Sequence, residues 1–286
     1  MNLDPGAKMA KRLYEGIAKK SRPHLARAIS LVEDGAGEAV HLLAEVYKHR
    51  GQASIIGITG SPGVGKSTVV DGLVTALRAI GRSVGVIAVD PSSPFTGGAI
   101  LGDRVRMRSH TLDKEVFFRS LATRGHLGGV SRHTGDVIAL MDAFGFDDIV
   151  VETVGAGQSE VDIMKYAETV IVVMAPNLGD DVQAIKAGIL EIGDVFCINK
   201  ADLPGVEKTR REIEMMLNLR DPNERRPQVV LTQASEGKGI DALLAALQDH
   251  REYLVSSGLL KEKVRAGNRA VLEEYLRHLT VERVIA

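Results

Sequence analysis

The chain predicts an α/β fold, a three-layer sandwich with a mostly parallel central sheet and helical extensions at both ends. Three observations predict it. Short apolar runs alternate with amphipathic segments, the pattern of strands joined by crossover helices. Several runs, such as Ile149-Val150-Val151, are apolar without alternation, as strands buried on both faces must be. The run Ile55-Ile56-Gly57-Ile58 leads into Gly60-Ser61-Pro62-Gly63-Val64-Gly65-Lys66-Ser67, a full match to G-x-x-x-x-G-K-[ST], which makes the sandwich a P-loop NTPase.

In chain order, residues 7–50 read as two or three helices. Leu25, Ile29 and Val32 form one apolar stripe, and Val40, Leu43, Ala44 and Tyr47 another. Strands are expected at Ser54–Thr59, Ser83–Val89, Val116–Ser120, Asp148–Glu152, Thr169–Met174, Val195–Asn199 and Gln228–Leu231. Helices are expected at Ser67–Ile80, Gly135–Phe144, Asp181–Leu190 and Val206–Leu217. Residues 240–286 turn helical again, through Leu243, Leu244 and Leu247, then Leu272, Leu276 and Leu279. The chain thus divides into an N-terminal helical extension (1–50), a P-loop domain (51–240) and C-terminal helices (241–286). The last segment follows Ser256-Ser257-Gly258, and two readings stand: a cap on the sheet, or a dimerisation arm.

Composition narrows the partners. With 44% hydrophobic residues among 286, the chain can bury one large domain with appendages. A net charge of −1 gives no general electrostatic case for nucleic acid or a membrane surface. The single cysteine, Cys197, rules out an internal disulfide and any Cys-x-x-Cys site, and its apolar strand makes it a buried structural thiol. No run of about 18 apolar residues predicts a membrane span. Asp4, Lys8, Lys11 and Glu15 interrupt any secretory h-region, so a cytoplasmic location is expected.

The phosphate loop carries the first chemistry. Its glycines let successive N–H groups turn inward around phosphates, and the following helix adds its N-terminal partial charge. Lys66 is expected to reach the β- and γ-phosphates, and the Ser67 hydroxyl to ligate Mg²⁺. A glycine-rich turn with an incidental lysine is the bland alternative. The strand before the loop and the helical pattern after it (Val70, Leu73, Val74, Leu77) argue against that.

Asn199-Lys200-Ala201-Asp202 names the base. The Asp202 carboxylate can accept from the N1–H and 2-amino groups of guanine, whereas adenine would leave it unpaired. Such a site rejects the analogue by roughly 10⁴-fold. The Lys200 stem can lie on the base, and Asn199 can tie this loop to the phosphate loop. Alone the string is short enough to arise by chance; beside a phosphate loop it reads as a guanine clamp. The nucleotide-binding set is therefore Gly60, Ser61, Pro62, Gly63, Val64, Gly65, Lys66, Ser67, Thr68, Asn199, Lys200, Asp202 and Ala234, with GTP or GDP as ligand.

Acidic positions complete the metal chemistry. Glu152-Thr153-Val154-Gly155 stands where GTPases usually carry Asp-x-x-Gly. Glu152 can hold a Mg²⁺-bound water and the Gly155 N–H can meet the γ-phosphate, so Lys66, Glu152 and Gly155 are the catalytic candidates. Asp90 ends a strand, and Asp103 closes the glycine-rich Gly97–Asp103 stretch, which reads as a switch loop; alone, Asp103 reads equally as a solvated turn residue. Mg²⁺ takes few protein ligands and keeps waters, which suits Ser67 with Asp90, Asp103 and Glu152 around it. Ras-like enzymes orient the attacking water with a Gln directly after this Gly. Here that place is Ala156, with Gln158 two positions on. Slow intrinsic hydrolysis, finished by a partner, is the expectation. Leu101–Thr134 holds seven Lys/Arg against three acids: a source of an arginine in cis, a solvated basic face, or a contact for an acidic partner. His126 and His133 lack a third ligand and read as surface residues.

Three further runs carry a family resemblance. They are Val89-Asp90-Pro91-Ser92-Ser93-Pro94 with Gly97 to Met107, Arg119 to Gly129, and Glu152 to Glu160. Together these resemble the methylmalonyl-CoA mutase–associated G protein family, GTPases that attend adenosylcobalamin-dependent acyl-CoA mutases. The resemblance implies a homodimer that loads or protects the mutase's cobalamin. It implies a Mg²⁺ shell of Asp90, Asp103 and Glu152, and a partner-responsive switch at Lys186 within Asn177–Lys186. A nickel- or zinc-delivering GTPase is the alternative, but the Cys-rich loop or His-rich tail usual there is missing. Asp202 argues against an ATP-using kinase or transport ATPase.

Overall fold

A computed structural model describes residues 5–49, 52–90, 108–122, 133–153, 163–176, 190–221 and 225–285. Seven strands form one sheet: β1 (Ser54–Thr59), β2 (Val84–Asp90), β3 (Val116–Ala122), β4 (Asp148–Thr153), β5 (Thr169–Met174), β6 (Val195–Ile198) and β7 (Gln228–Leu231). Their order is β3-β2-β4-β1-β5-β6-β7, and all six pairings are parallel, beyond the mostly parallel sheet expected. The seven expected strands are the seven observed, three with the expected ends and four with ends one or two residues away.

Eight helices of more than one turn accompany the sheet among the described residues: α1 (Pro5–Ala18), α2 (Arg22–Glu33), α3 (Glu38–Lys48), α4 (Lys66–Ala79), α5 (Thr134–Phe144), α6 (Val206–Leu217), α7 (Ile240–Ser256) and α8 (Leu259–Ile285). The N-terminal extension is thus three helices. The helix expected at Asp181–Leu190 falls almost wholly outside the described residues.

Strand side chains alternate between two cores, because successive Cβ atoms leave a strand on opposite faces. Ile55, Ile149, Val151, Val170 and Val172 face α1–α3, α5 and α6. Ile56, Ile58, Val150, Ile171 and Val173 face α4 and α7. Strands β1, β4 and β5 are buried along their whole length, which explains their unbroken apolar runs.

Helix α2 is pinned to the sheet edge by two arginines. Arg22 donates to the carbonyls of Asp113 (3.2 Å), Lys114 (3.1 Å) and Val116 (2.6 Å), while its guanidinium lies over the Phe117 ring. Arg119 on β3 pairs with Glu33 and donates to Ser30 Oγ at 3.1 Å. Arg119, one of the seven basic residues of Leu101–Thr134, is thus a clamp between α2 and β3.

A parallel sheet puts all its carboxyl ends at one edge, and ligands in such folds gather where the strand order reverses. Here β2, β3 and β4 lie to one side of β1 and β5, β6 and β7 to the other. The phosphate loop leaves β1 at that reversal.

Candidate nucleotide site

Gly60 follows β1 directly and takes φ +141°. A Cβ there would lie 2.0 Å from the Val173 carbonyl oxygen, so only glycine lets the loop turn off the strand beside β5. The loop ends at Gly65, in the left-handed region at φ +94°, and α4 begins at Lys66. Lys66 is buried and donates to the Gly60 carbonyl at 2.5 Å and the Ser61 carbonyl at 3.0 Å. Ser67 and Thr68 follow in the first turn of α4, Ser67 half-buried and Thr68 exposed.

Glu152, the second-last residue of β4, is 5% exposed, and its Oε1 accepts from Ser67 Oγ at 2.7 Å. Strand neighbours thus bring an oxygen pair together across 85 residues of chain. Both donors are hard oxygens, one hydroxyl and one carboxylate, which is the set that suits Mg²⁺. Asp90 ends β2 at the same edge, its backbone paired in register with Ala122. Asp103, Gly155, Ala156, Gln158 and Lys186 lie outside the described residues.

The base loop is built around Asn199. Its side chain is buried and makes three bonds: Nδ2 to the Val64 carbonyl (2.9 Å), and Oδ1 from Thr232 Oγ1 (3.1 Å) and from the Ala234 amide (3.1 Å). One amide group thereby joins the phosphate loop, the loop after β6 and the turn after β7. Gly65 has to be glycine on this account too, because a Cβ would sit 2.5 Å from Asn199 Nδ2. Lys200 takes a left-handed φ of +58°, uncommon for a residue with a Cβ. Two backbone bonds hold the turn, Asn199 N to Met174 O (2.8 Å) and Ala201 N to Thr232 O (3.0 Å). Lys200 Nζ reaches back to the Gly63 carbonyl at 2.8 Å. Asp202 stands exposed beyond it. Lys238, raised chiefly by its 2.7 Å pair with Glu236, is also within electrostatic reach of Asp202.

The sequence missed Thr232, which is 1% exposed and bonds both Asn199 and Cys197 Sγ. Its signal was weak: one threonine after the apolar Val229-Val230-Leu231, two before Ala234. Cys197 is the buried thiol expected, pushed up to about 12 by burial. Among the described residues no group of three His, Cys, Asp or Glu side chains is placed to hold a metal ion.

Comparisons with known proteins give the family. The family described as methylmalonyl Co-A mutase-associated GTPase MeaB matches residues 25–286. A relative from Pyrococcus abyssi is 51% identical over 261 residues, covering 90% of this chain and 81% of that protein. GTPase ArgK of Escherichia coli is 37% identical over 288 residues, covering 98% of this chain and 85% of its own. The crystal structure of an LAO/AO transport system kinase superposes with a TM-score of 0.77 at 27% identity, covering 100% of this chain and 87% of that one. A phosphate loop at the strand-order reversal and a base loop fastened to it by one buried asparagine are what such a family needs. The chain belongs to the methylmalonyl-CoA mutase-associated GTPases.

Proposed function

We propose that this GTPase loads or protects the cobalamin cofactor of an adenosylcobalamin-dependent acyl-CoA mutase. The observation that carries the nucleotide half is the Asn199 bridge, which makes the base loop and the phosphate loop one rigid unit. Guanine would enter against Lys200 with Asp202 accepting from its N1–H and 2-amino groups. The phosphates would take the loop amides of residues 60–65, together with the Ser67 and Thr68 end of α4. Charge-assisted bonds are about twice as strong as neutral ones. The Lys66 ammonium, now on two neutral carbonyls, would gain an opposite full charge by moving to phosphate oxygens.

Mg²⁺ would be held beside Ser67 and Glu152; Asp90 and Asp103 are assigned to its shell by the family resemblance. When bound it neutralises charge on the β- and γ-phosphates. Glu152 would orient water at that point, and the Gly155 amide would meet the γ-phosphate. No glutamine occupies the usual water-orienting place, so the partner is expected to complete hydrolysis, with Lys186 in the segment that answers it.

Residues 51–240 carry this chemistry, and the flanking helices are left for contacts. Exposed Val40, Tyr47, Val255, Val264 and Leu272 line a groove of about 1160 Å³ between α3, α5, α7 and α8, which favours the dimerisation reading of the C-terminal helices. Sedimentation as a monomer at micromolar concentration would remove that part. No helix of the described residues is long and apolar enough to cross a membrane.

The decisive experiment mixes the protein with a mutase from the same cell. GTP turnover should rise about tenfold, equivalent to about 1.4 kcal/mol of transition-state stabilisation. Lys186→Ala should blunt the rise and leave nucleotide affinity unchanged. If no such mutase binds or alters turnover, the partner reading is lost and the family membership stands.

A further inference from the structure

The sheet contains a second polar contact at the phosphate end that the nucleotide chemistry above does not use. Thr59, the last residue of β1, is 0% exposed, and Thr153, the last of β4, is 1% exposed. Thr153 Oγ1 lies 3.1 Å from Thr59 Oγ1 and 3.4 Å from the Ile58 carbonyl. Each threonine adjoins a residue of the site: Thr59 precedes Gly60, and Thr153 follows Glu152.

Its place in the register gives the contact meaning. The paired register between β1 and β4 ends at Ile58↔Glu152. On the other sides the pairing runs one residue further, to Thr59↔Val172 with β5 and to Val89↔Thr153 with β2. At the seam between β1 and β4 the hydroxyl pair takes over where the ladder stops. Beyond it one chain turns into the phosphate loop and the other leads on from Glu152. The same seam separates Ser67, at the start of α4, from the Glu152 carboxylate it bonds.

We infer that Thr59 and Thr153 are positioning residues: their hydroxyl bridge sets the spacing between the phosphate loop and Glu152, and with it the Mg²⁺ affinity of the nucleotide complex. This rests on the reading of Ser67 and Glu152 as the metal-holding pair. A group that orients a metal's ligand without touching the metal commonly governs affinity by about 10- to 100-fold.

The test separates positioning from mere packing. Valine matches threonine in shape, so Thr153→Val takes from the buried Thr59 hydroxyl its donor, Thr59→Val leaves Thr153 the longer contact to the Ile58 carbonyl, and the double variant, with neither hydroxyl left, should recover the stability lost in Thr153→Val. GDP affinity is measured with a fluorescent analogue in EDTA and across a Mg²⁺ titration, alongside thermal midpoints. In the double variant the Mg²⁺ midpoint should rise about tenfold or more, with affinity in EDTA and thermal midpoint close to the parent's. Thr153→Ser, which keeps the hydroxyl, should restore the parent's Mg²⁺ midpoint. A double variant with the parent's Mg²⁺ midpoint overturns the inference alone. A parent whose GDP affinity and turnover ignore Mg²⁺ overturns the metal reading and the inference with it.

Discussion

At the carboxyl edge of the sheet, Lys66 donates to loop carbonyls, Glu152 accepts from a serine hydroxyl and Asn199 bridges backbone groups. At the amino edge, carboxylates are held by arginine, lysine and imidazole nitrogens. Arg82 pairs with Asp148, Lys263 Nζ lies 3.0 Å from Asp194 Oδ2, and His250 Nε2 lies 3.3 Å from Asp194 Oδ1. His250 Nδ1 meets Thr169 Oγ1 at 2.8 Å, and the Asp194 carboxylate also accepts from the Val170 amide at 2.9 Å. The two edges hold similar side chains under different terms. A lysine on carbonyls can be re-partnered by phosphate, whereas an aspartate held by a lysine, a histidine and an amide is already compensated. The carboxyl edge is arranged for a ligand and the amino edge for the fold.

If that contrast is right, substitutions at the first edge should damage nucleotide chemistry and spare stability, with the reverse at the second. The largest effect is expected at Lys66. Lys66→Ala should lower GTP turnover by about 10³-fold, the scale of one lost transition-state donor, while the thermal midpoint moves little. A variant that unfolds early yet turns over normally once folded would reverse the assignment of this edge.

Next comes base choice. Asp202→Asn turns one acceptor into a donor, which suits the 2-oxo group of xanthine. GTP affinity should fall by roughly 2–4 kcal/mol, the scale of hydrogen bonds to a charged group, and xanthosine triphosphate should gain relative to it. Asp202 is exposed, so stability should not change. Unchanged GTP affinity in a binding titration would remove Asn199–Asp202 as the guanine clamp.

The contrast also explains what the sequence disclosed. All seven strands were legible because burial on both faces forces unbroken apolar runs. The phosphate loop was legible because its glycines, Lys66 and Ser67 are contiguous, and Asn199 because its loop has a fixed spelling. The amino-edge cluster has no such spelling: Lys263 and Asp194 are 69 residues apart, and Thr169 and His250 are 81 apart. Only the parallel register and the return of α7 and α8 bring them together. Thr59 and Thr153 escaped for the same reason, since either alone is an ordinary β-branched strand residue. Asp103, Gly155 and Lys186 rest on motif and resemblance alone.

The amino edge supplies the third expectation. Burial pushes the Asp194 carboxyl up, but the His250 hydrogen bond, the Lys263 and His250 charges and the Val170 amide outweigh it and hold it below its ordinary value. A depressed carboxylate contributes stability that is present above its unfolded value and lost as pH falls through the folded one. Asp194→Asn should therefore cost about 1.5–3 kcal/mol at neutral pH and flatten the acid limb of the stability curve. GTP affinity should stay at the parent's level. Denaturant titrations at several pH values measure this, and a variant as stable as the parent would show that the edge is not a structural clamp.

The smallest effect, and the one with opposite sign, belongs to Glu168 beside it. This residue is 8% exposed, and its Oε2 is 4.0 Å from Arg251 Nη1, too far for a hydrogen bond; both atoms are buried without such a partner. Burial, against the charge of Arg251 and the Ile55 backbone contact, raises its carboxyl above the ordinary 4.5. A raised acid binds more protons folded than unfolded, so stability declines as pH climbs from the unfolded value through the folded one. Removing one member of a buried ion pair usually costs several kcal/mol by stranding the other charge. Arg251 is a third exposed and can turn to water, so that cost is largely avoided here. Glu168→Gln should leave stability at neutral pH equal or higher by less than about 1 kcal/mol, and remove the decline above pH 4.5. A loss of more than about 2 kcal/mol would mean that the pair is as well made as that of Asp194 with Lys263, and that the amino edge is a single compensated network.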